Sequence, residues 1–73
     1  MISRLRKLNK TAKLDIQQGD LVDFGPYGKN YVCDPDYSDE YYWITDEPND
    51  RMNPNAEGWS IKKDRAIKII EEN

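Results

Sequence analysis

The side chains that could do chemistry are densest in residues 34–43, in the middle of the chain. We call this set the acidic aromatic cluster, and its members are Asp34, Asp36, Tyr37, Asp39, Glu40, Tyr41 and Trp43. Its carboxylates are oxygen ligands of the kind that Ca²⁺ accepts. An EF-hand loop starting at Asp34 would need glycine at its sixth position and glutamate at its twelfth, where this chain has Asp39 and Thr45. We therefore expect no metal site in this cluster.

The residue types that most hydrolases use for catalysis are scarce. The chain has no histidine, which removes the usual proton shuttle and every triad that depends on an imidazole. The single cysteine, Cys33, is followed by Asp34 and Asp36, whose negative charges disfavour a reactive thiolate. An acid and base pair of carboxylates needs a walled pocket, which a chain of 73 residues rarely encloses. We expect a structural thiol, no catalytic residue and no cofactor, so the protein is predicted not to be an enzyme.

The mixture of tyrosine, tryptophan and carboxylate in the acidic aromatic cluster is typical of a protein-binding surface. Aromatic residues are enriched at protein interfaces, whereas surfaces that bind single-stranded nucleic acid interleave aromatic residues with lysine and arginine. The cluster therefore predicts binding to a basic protein surface. In an extreme form of this function, its carboxylates would imitate the phosphates of DNA. Self-association is a further alternative, in which an assembly of the chain covers its exposed aromatic side chains.

The net charge is -3, but charge is distributed very unevenly along the chain. Residues 14–60 contain eleven acids and two bases, Lys29 and Arg51, for a net charge of -9. Residues 1–13 contain no acid, and their bases are Arg4, Arg6, Lys7, Lys10 and Lys13. These five bases support an alternative function, in which a basic arm makes phosphate contacts and the protein acts as a nucleic-acid accessory domain. The protein-binding interpretation ranks higher because the acidic segment is larger and would repel a polyanion.

Length and composition limit how the chain can be organised into domains. Seventy-three residues are enough for one small domain, which we assign to residues 14–73. Residues 1–13 are predicted to be a basic arm or a short amphipathic helix, because Ile2, Leu5, Leu8 and Ala12 recur at helical spacing. A lone cysteine cannot form an intramolecular disulfide, and no segment is apolar enough to span a bilayer. We expect a soluble, cytoplasmic protein without membrane contact.

From Gln18 onward, short β-branched and aromatic runs are separated by glycine, proline and aspartate, which predicts a mainly β fold. We expect four or five antiparallel strands, the first at residues 21–24 and the second at 29–33, joined by a turn at Gly25-Pro26-Tyr27-Gly28. The later strands are predicted at residues 41–45, 59–62 and 66–70, although the last could also be helical. Residues 46–57 are predicted to be a long polar connection. The predicted core comprises Val22, Phe24, Val32, Ile44, Trp59, Ile61, Ile67 and Ile69.

Four segments of this pattern resemble the strands of a Src-homology-3-like small barrel. They are Gly19-Asp20-Leu21-Val22, Tyr41-Tyr42-Trp43-Ile44 and Gly58-Trp59-Ser60-Ile61, followed by the run from Ala66 to Ile70. The resemblance covers residues 18–71 and implies that a single 3₁₀ turn at Lys63-Asp64-Arg65 joins the last two strands. Tyr41 and Tyr42 lie on a strand and no proline follows Ile61, unlike the signature of the peptide-binding members. The acidic, tyrosine-rich composition is also similar to that of small accessory proteins of bacteriophages and prophages.

Overall fold

Five short antiparallel strands form a single sheet in the computed structural model, which describes residues 14–73. The strands are β1 (Leu21–Asp23), β2 (Lys29–Asp34), β3 (Tyr41–Thr45), β4 (Trp59–Lys62) and β5 (Lys68–Glu71). Their order across the sheet is β4-β3-β2-β1-β5, so the first four strands form a meander and β5 returns to pair with β1. The sheet is open, with β4 and β5 at its two edges. The prediction of a mainly β fold with four or five antiparallel strands is confirmed, and the sheet has five.

Turn residues explain the connection between β1 and β2. Pro26 starts a 3₁₀ turn over Gly25–Tyr27, and the N–H of Gly28 donates to the carbonyl of Gly25 at 2.9 Å. Gly25 has a φ of 64° and Gly28 a φ of 90°, which favour glycine over any residue with a side chain. The predicted turn is therefore present. The predicted 3₁₀ turn between β4 and β5 is also present, over Lys63–Arg65.

Residues 46–58, which link β3 to β4, contain a 3₁₀ turn at Pro48–Asp50 as their single helical segment. The side chain of Glu47 accepts the N–H of Asn49 and caps this turn. The segment is otherwise held by short-range bonds, among them the N–H of Ala56 to the carbonyl of Asn53 at 3.0 Å. We call residues 46–58 the β3–β4 loop. Its prediction as a connection is confirmed, but it packs on the sheet, with Ala56 buried.

The core lies on one side of the sheet, where alternate residues of each strand point inward. Five residues that the sequence assigned to the core are buried there, namely Val22, Phe24, Val32, Ile44 and Ile61. Ile16, from the segment that precedes β1, and Tyr42 join the same cluster. The rings of Phe24 and Tyr42 lie 6.4 Å apart at an interplanar angle of 60°, a favourable tilted arrangement. The inward side of β3 therefore packs much as its alternation predicts.

Two residues of the predicted core are exposed. Trp59 is 43% exposed because it opens β4, an edge strand with no further strand beside it. Ile67 is 57% exposed because it precedes β5, where its side chain lies over Gly25 and its N–H donates to the carbonyl of Asp23. Ile69 is half-buried and packs against the core. Assigning Trp59 and Ile67 to the core was wrong, since the pattern of a strand does not indicate whether it lies at an edge.

A buried carboxylate ties the two ends of the described chain together. Asp20 is fully buried, and its two carboxylate oxygens accept the backbone N–H groups of Gln17 and Asn73, each at 2.9 Å. A buried carboxylate is costly without such partners. The carbonyl of Asp20 also accepts the N–H of Val32 at 2.9 Å, which extends the pairing of β1 with β2. The segments before β1 and after β5 are therefore fastened to the same side chain.

The first predicted segment, residues 1–13, falls outside the described residues, so the arm or helix stays a prediction. Among residues 14–73, the last predicted strand is confirmed as a strand, shifted to Lys68–Glu71. The second strand extends to Asp34, one residue beyond its predicted end. The register of β2 against β3 shifts between Val32 and Asp34, which leaves Cys33 as the extra residue of a bulge.

Gly58 is required for the close approach of the β3–β4 loop to β3. A Cβ atom at this position would overlap the carbonyl oxygen of Ile44, a backbone atom that cannot rotate away. Ile44 is paired with Trp59, the first residue of β4. Any side chain at position 58 would therefore push β4 away from β3.

We expect Gly58→Ala to lower the free energy of unfolding by about 2 kcal/mol or more, because the added Cβ has a fixed position and the Ile44 carbonyl that it meets belongs to the backbone. Ser60→Ala, at an exposed position of the adjoining strand β4, is the control and should change stability by less than about 0.5 kcal/mol. Urea unfolding followed by tryptophan fluorescence measures both. Equal midpoints for the two variants would contradict the close approach.

Candidate functional site

The hairpin of β2 and β3 brings the acidic aromatic cluster together. Its turn is shaped by polar side chains: Asp34 Oδ1 accepts the N–H of Asp36 at 3.0 Å, and Ser38 Oγ accepts the N–H of Tyr41 at 3.0 Å. Ser38 in turn donates its N–H to the carbonyl of Tyr41 at 3.2 Å. Short polar side chains of this kind favour turns because they replace backbone partners. All seven predicted residues consequently lie on β2, β3 or the turn between them.

Alternation along β3 divides its side chains between the two sides of the sheet. Tyr42 and Ile44 are buried in the core, so Tyr41 and Trp43 point to the opposite side, which we call the outer face. Asp34 on β2 and Ser60 on β4 are the partners of Trp43 in the register. Directly opposite side chains in an antiparallel pair lie roughly 5 Å apart at Cβ. Asp34 is therefore the neighbour of Trp43 on β2, next to the bulge at Cys33.

The exposed ring of Tyr37 packs against the half-buried ring of Trp43. Their centroids are 5.2 Å apart and their planes are inclined by 38°. Together with Pro54, Asn55 and Ala56 they line a groove of about 270 Å³, which we call the aromatic groove. One wall of the groove belongs to the hairpin and the other to the β3–β4 loop. A groove with two aromatic rings and a proline ring suits a flat or apolar group of a partner.

The indole of Trp43 is fixed in place by the β3–β4 loop. Its Nε1–H donates to the carbonyl of Ala56 at 2.8 Å. Because a buried indole N–H needs an acceptor, this bond couples the ring to the loop. The orientation of the ring, and hence the shape of the aromatic groove, depends on where the loop lies.

Arg51 holds the β3–β4 loop on the outer face. Its Nε–H donates to the carbonyl of Gly19 at 2.8 Å, and its Nη2 lies 3.1 Å from Glu71 Oε1 on β5. The guanidinium carbon lies 4.6 Å from the centroid of the Tyr31 ring. Gln18 adds a second attachment, donating from Nε2 to the carbonyls of Cys33 at 2.9 Å and Met52 at 3.1 Å. The loop thus contacts the segment before β1, strand β2 and strand β5 through a few directional interactions.

Asp39 and Glu40 lie in a different groove from the two aromatic rings. This second groove, of about 290 Å³, is lined by Asp39, Glu40, Lys62, Lys63 and Asp64. The N–H of Lys63 donates to the carbonyl of Glu40 at 2.8 Å, which fixes the two walls. We call it the mixed-charge groove, since its two lysines offset two of its three acids. Two members of the acidic aromatic cluster therefore line each groove, and Asp34, Asp36 and Tyr41 line neither.

The acidic side chains of the described residues 14–73 do not assemble into a metal-binding group. No three or more histidine, cysteine, aspartate or glutamate side chains in this part of the chain are placed to hold an ion together. Asp34 and Asp36 are bound within the turn through the bond from Asp36 N–H to Asp34 Oδ1. Asp34 and Asp36 would therefore act on a partner through their negative charge.

Cys33 is a buried thiol, as its sequence context predicts. Its Sγ lies 3.4 Å from the carbonyl of Trp43, close enough for a weak S–H hydrogen bond. Burial raises the pKa of this thiol above 9.0, a backbone hydrogen bond opposes the shift, and the charges of Asp34 and Asp50 add to it. Burial likewise raises the pKa of Tyr42 above 10.0, with a smaller contribution from Asp15. Both groups are held in their neutral forms.

Sequence reasoning missed the half of the aromatic groove that the loop supplies. Pro54, Asn55 and Ala56 belong to a segment with no periodic pattern, and their packing on Trp43 depends on the fold. Arg51 carried a signal, because it is one of two bases among eleven acids in residues 14–60. The bases proposed for nucleic-acid binding, Arg4, Arg6, Lys7, Lys10 and Lys13, lie outside the described residues.

Comparison of the chain with protein-family models, with curated proteins and with solved structures finds no match. Among residues 14–73, no helix has the length and apolar character needed to cross a membrane. The site must therefore be interpreted from its own geometry.

The buried thiol predicts a loss of stability at high pH. Well below pH 9.0 the Cys33 thiol is protonated in both the folded and the unfolded chain, so it contributes no pH dependence there. As the pH rises above 9.0, the unfolded chain loses this proton first, and unfolding is favoured by up to about 1.4 kcal/mol per pH unit until the folded pKa is reached. Urea midpoints at about pH 8 and pH 10 measure this loss. Cys33→Ala should reduce the difference, and an identical pH dependence in the variant would contradict the burial of the thiol.

Proposed function

We propose that this chain is a non-enzymatic protein-interaction module that binds a basic partner through the hairpin of β2 and β3. The observation that carries the proposal is the pair of rings in the aromatic groove, formed by the exposed Tyr37 and the half-buried Trp43. Asp34 is the register partner of Trp43 on the neighbouring strand. Exposed aromatic side chains in a groove are the usual anchors of a protein interface. Such a site binds its partner through buried surface area and complementary shape, and it needs no reactive group.

The charge of the acidic segment favours a basic partner. Residues 14–60 have a net charge of -9, and Asp34, Asp36 and Asp39 lie on the hairpin that holds the rings. Complementary charge around an interface mainly raises the rate of association and excludes partners of the same sign. The carboxylates would therefore steer the partner, and the rings would retain it.

At the level of fold, we propose a Src-homology-3-like small barrel. The strand order β4-β3-β2-β1-β5 and the 3₁₀ turn Lys63–Arg65 between the last two strands support this assignment. The role of a bacteriophage or mobile-element accessory or inhibitor protein acting in the cytoplasm agrees with the small size and acidic composition. These assignments add no residue to the site.

The competing function is nucleic-acid binding through the basic residues 1–13. Phosphate contacts made by a few bases weaken steeply with salt, whereas contacts made by aromatic rings do not. The acidic segment would repel a polyanion. The two functions are therefore separated by whether a basic protein or DNA is bound, with a steep loss of DNA binding on raising salt as the sign of phosphate contacts.

The test combines affinity capture with two matched pairs of variants. The immobilised chain is exposed to lysate of the source cell and, separately, to random duplex DNA at about 50 mM and 200 mM salt. Asp36→Lys is matched by Asp46→Lys, an equal charge change at the opposite end of β3. Tyr37→Ala is matched by Tyr27→Ala, because both tyrosines are 51% exposed.

We expect a basic protein to be captured, with less captured by Tyr37→Ala and slower association by Asp36→Lys. The control variants Asp46→Lys and Tyr27→Ala should bind as the original chain does. If DNA is retained at low salt and released by deletion of residues 1–13, the nucleic-acid function is correct. Equal losses for the test and control variants would overturn the assignment of the interface to the hairpin.

A further inference from the structure

Tyrosine rings in this chain repeatedly hold a cationic side chain. Arg51 lies over Tyr31, Lys63 over Tyr42 and Arg65 over Tyr27, with distances from the cation to the ring centroid of 4.6, 5.3 and 5.4 Å. A cation within about 6 Å of a ring centroid is attracted by the negative face of the ring. Tyr37 differs, because within residues 14–73 no cation lies over its ring, which is 51% exposed.

The contact between Arg51 and Tyr31 supplies a template for what such a ring can bind. The guanidinium lies against the ring, donates to a backbone carbonyl of Gly19 and pairs with the carboxylate of Glu71. Ring, carbonyl oxygen and carboxylate together satisfy a planar cation that has five N–H donors. This is a complete arginine site, occupied by the chain's own side chain.

The aromatic groove and its margin offer the same three kinds of group. Tyr37 and Trp43 supply the rings, and Asn55 on the other wall has an amide oxygen. Asp34 does not line the groove, but on β2 it is the register partner of Trp43. Within residues 14–73, Asp34 accepts a hydrogen bond at Oδ1 alone, which leaves Oδ2 as an acceptor for a further donor. The indole N–H of Trp43 is already bound to Ala56, so the ring offers its face and not its donor.

We propose that the aromatic groove takes an arginine side chain of the basic partner, with the guanidinium stacked on Tyr37 or Trp43 and paired with Asp34. This inference rests on the proposed function and names the group that the site recognises. Arginine fits better than lysine because its planar guanidinium can stack and donate in several directions at once, whereas an ammonium is a compact and strongly hydrated charge. The groove volume of about 270 Å³ is sufficient for one such side chain.

The test uses two capped glycine-serine peptides that differ only in carrying arginine or lysine at the same positions. Binding to the full chain is followed by NMR, using the indole N–H of Trp43 as the reporter and that of Trp59, on the sheet edge, as the internal reference. We expect the arginine peptide to bind at least about threefold more tightly and to shift the Trp43 signal. Tyr37→Leu and Asp34→Asn should each remove this preference, whereas Tyr27→Leu should leave it unchanged.

The outcomes separate this inference from the proposed function. Equal affinities for the two peptides, both lowered by Tyr37→Leu, would overturn the arginine site and leave the basic-partner interface in place. An arginine preference that survives Tyr37→Leu would also overturn it, because the peptide would then bind elsewhere. If neither peptide binds but Tyr37→Ala still lowers capture of the basic protein, the inference fails and the interface stands. If capture is also unaffected, both fail.

Discussion

One arginine determines how the outer face of the sheet is covered. Arg51 reaches from the β3–β4 loop to a ring on β2, a carbonyl before β1 and a carboxylate on β5. The loop is otherwise polar, and Ala56 is its single buried residue, so apolar burial alone gives it little reason to pack on the sheet. A cation that stacks, donates and pairs at once supplies the directional contacts that this loop needs.

The candidate site depends on that arrangement. Trp43 donates its indole N–H to Ala56, and the wall opposite the rings is made of Pro54, Asn55 and Ala56. Gly58 lets the loop return to the edge of the sheet without colliding with Ile44. The aromatic groove is therefore a space between a strand hairpin and a pinned loop, and its shape is determined by contacts on both sides.

Sequence patterns predicted the strands well because alternation and turn chemistry are local. Tyr42 and Ile44 turned inward as their period requires, and Pro26 and the neighbouring glycines made the first turn. Trp59 and Ile67 were wrongly assigned to the core because burial depends on which strands are edges, a property of the whole sheet. The hairpin half of the candidate site was predicted from its composition. The loop half was not, because the packing of Pro54, Asn55 and Ala56 on Trp43 depends on contacts with residues distant in the sequence, which no local pattern indicates.

The most direct test of this account is the hydrogen exchange rate of the Trp43 indole N–H in the original chain and in Arg51→Lys. Lysine keeps the charge but loses the Nε–H bond to Gly19 and the planar stack on Tyr31. If Arg51 pins the loop, the indole should exchange about tenfold faster or more in the variant, since a charged hydrogen bond contributes roughly 1.5 kcal/mol. The backbone N–H of Ile44, in the core of β3, should keep its rate. Equal indole exchange in the two proteins would show that the loop, and with it the aromatic groove, is held without Arg51.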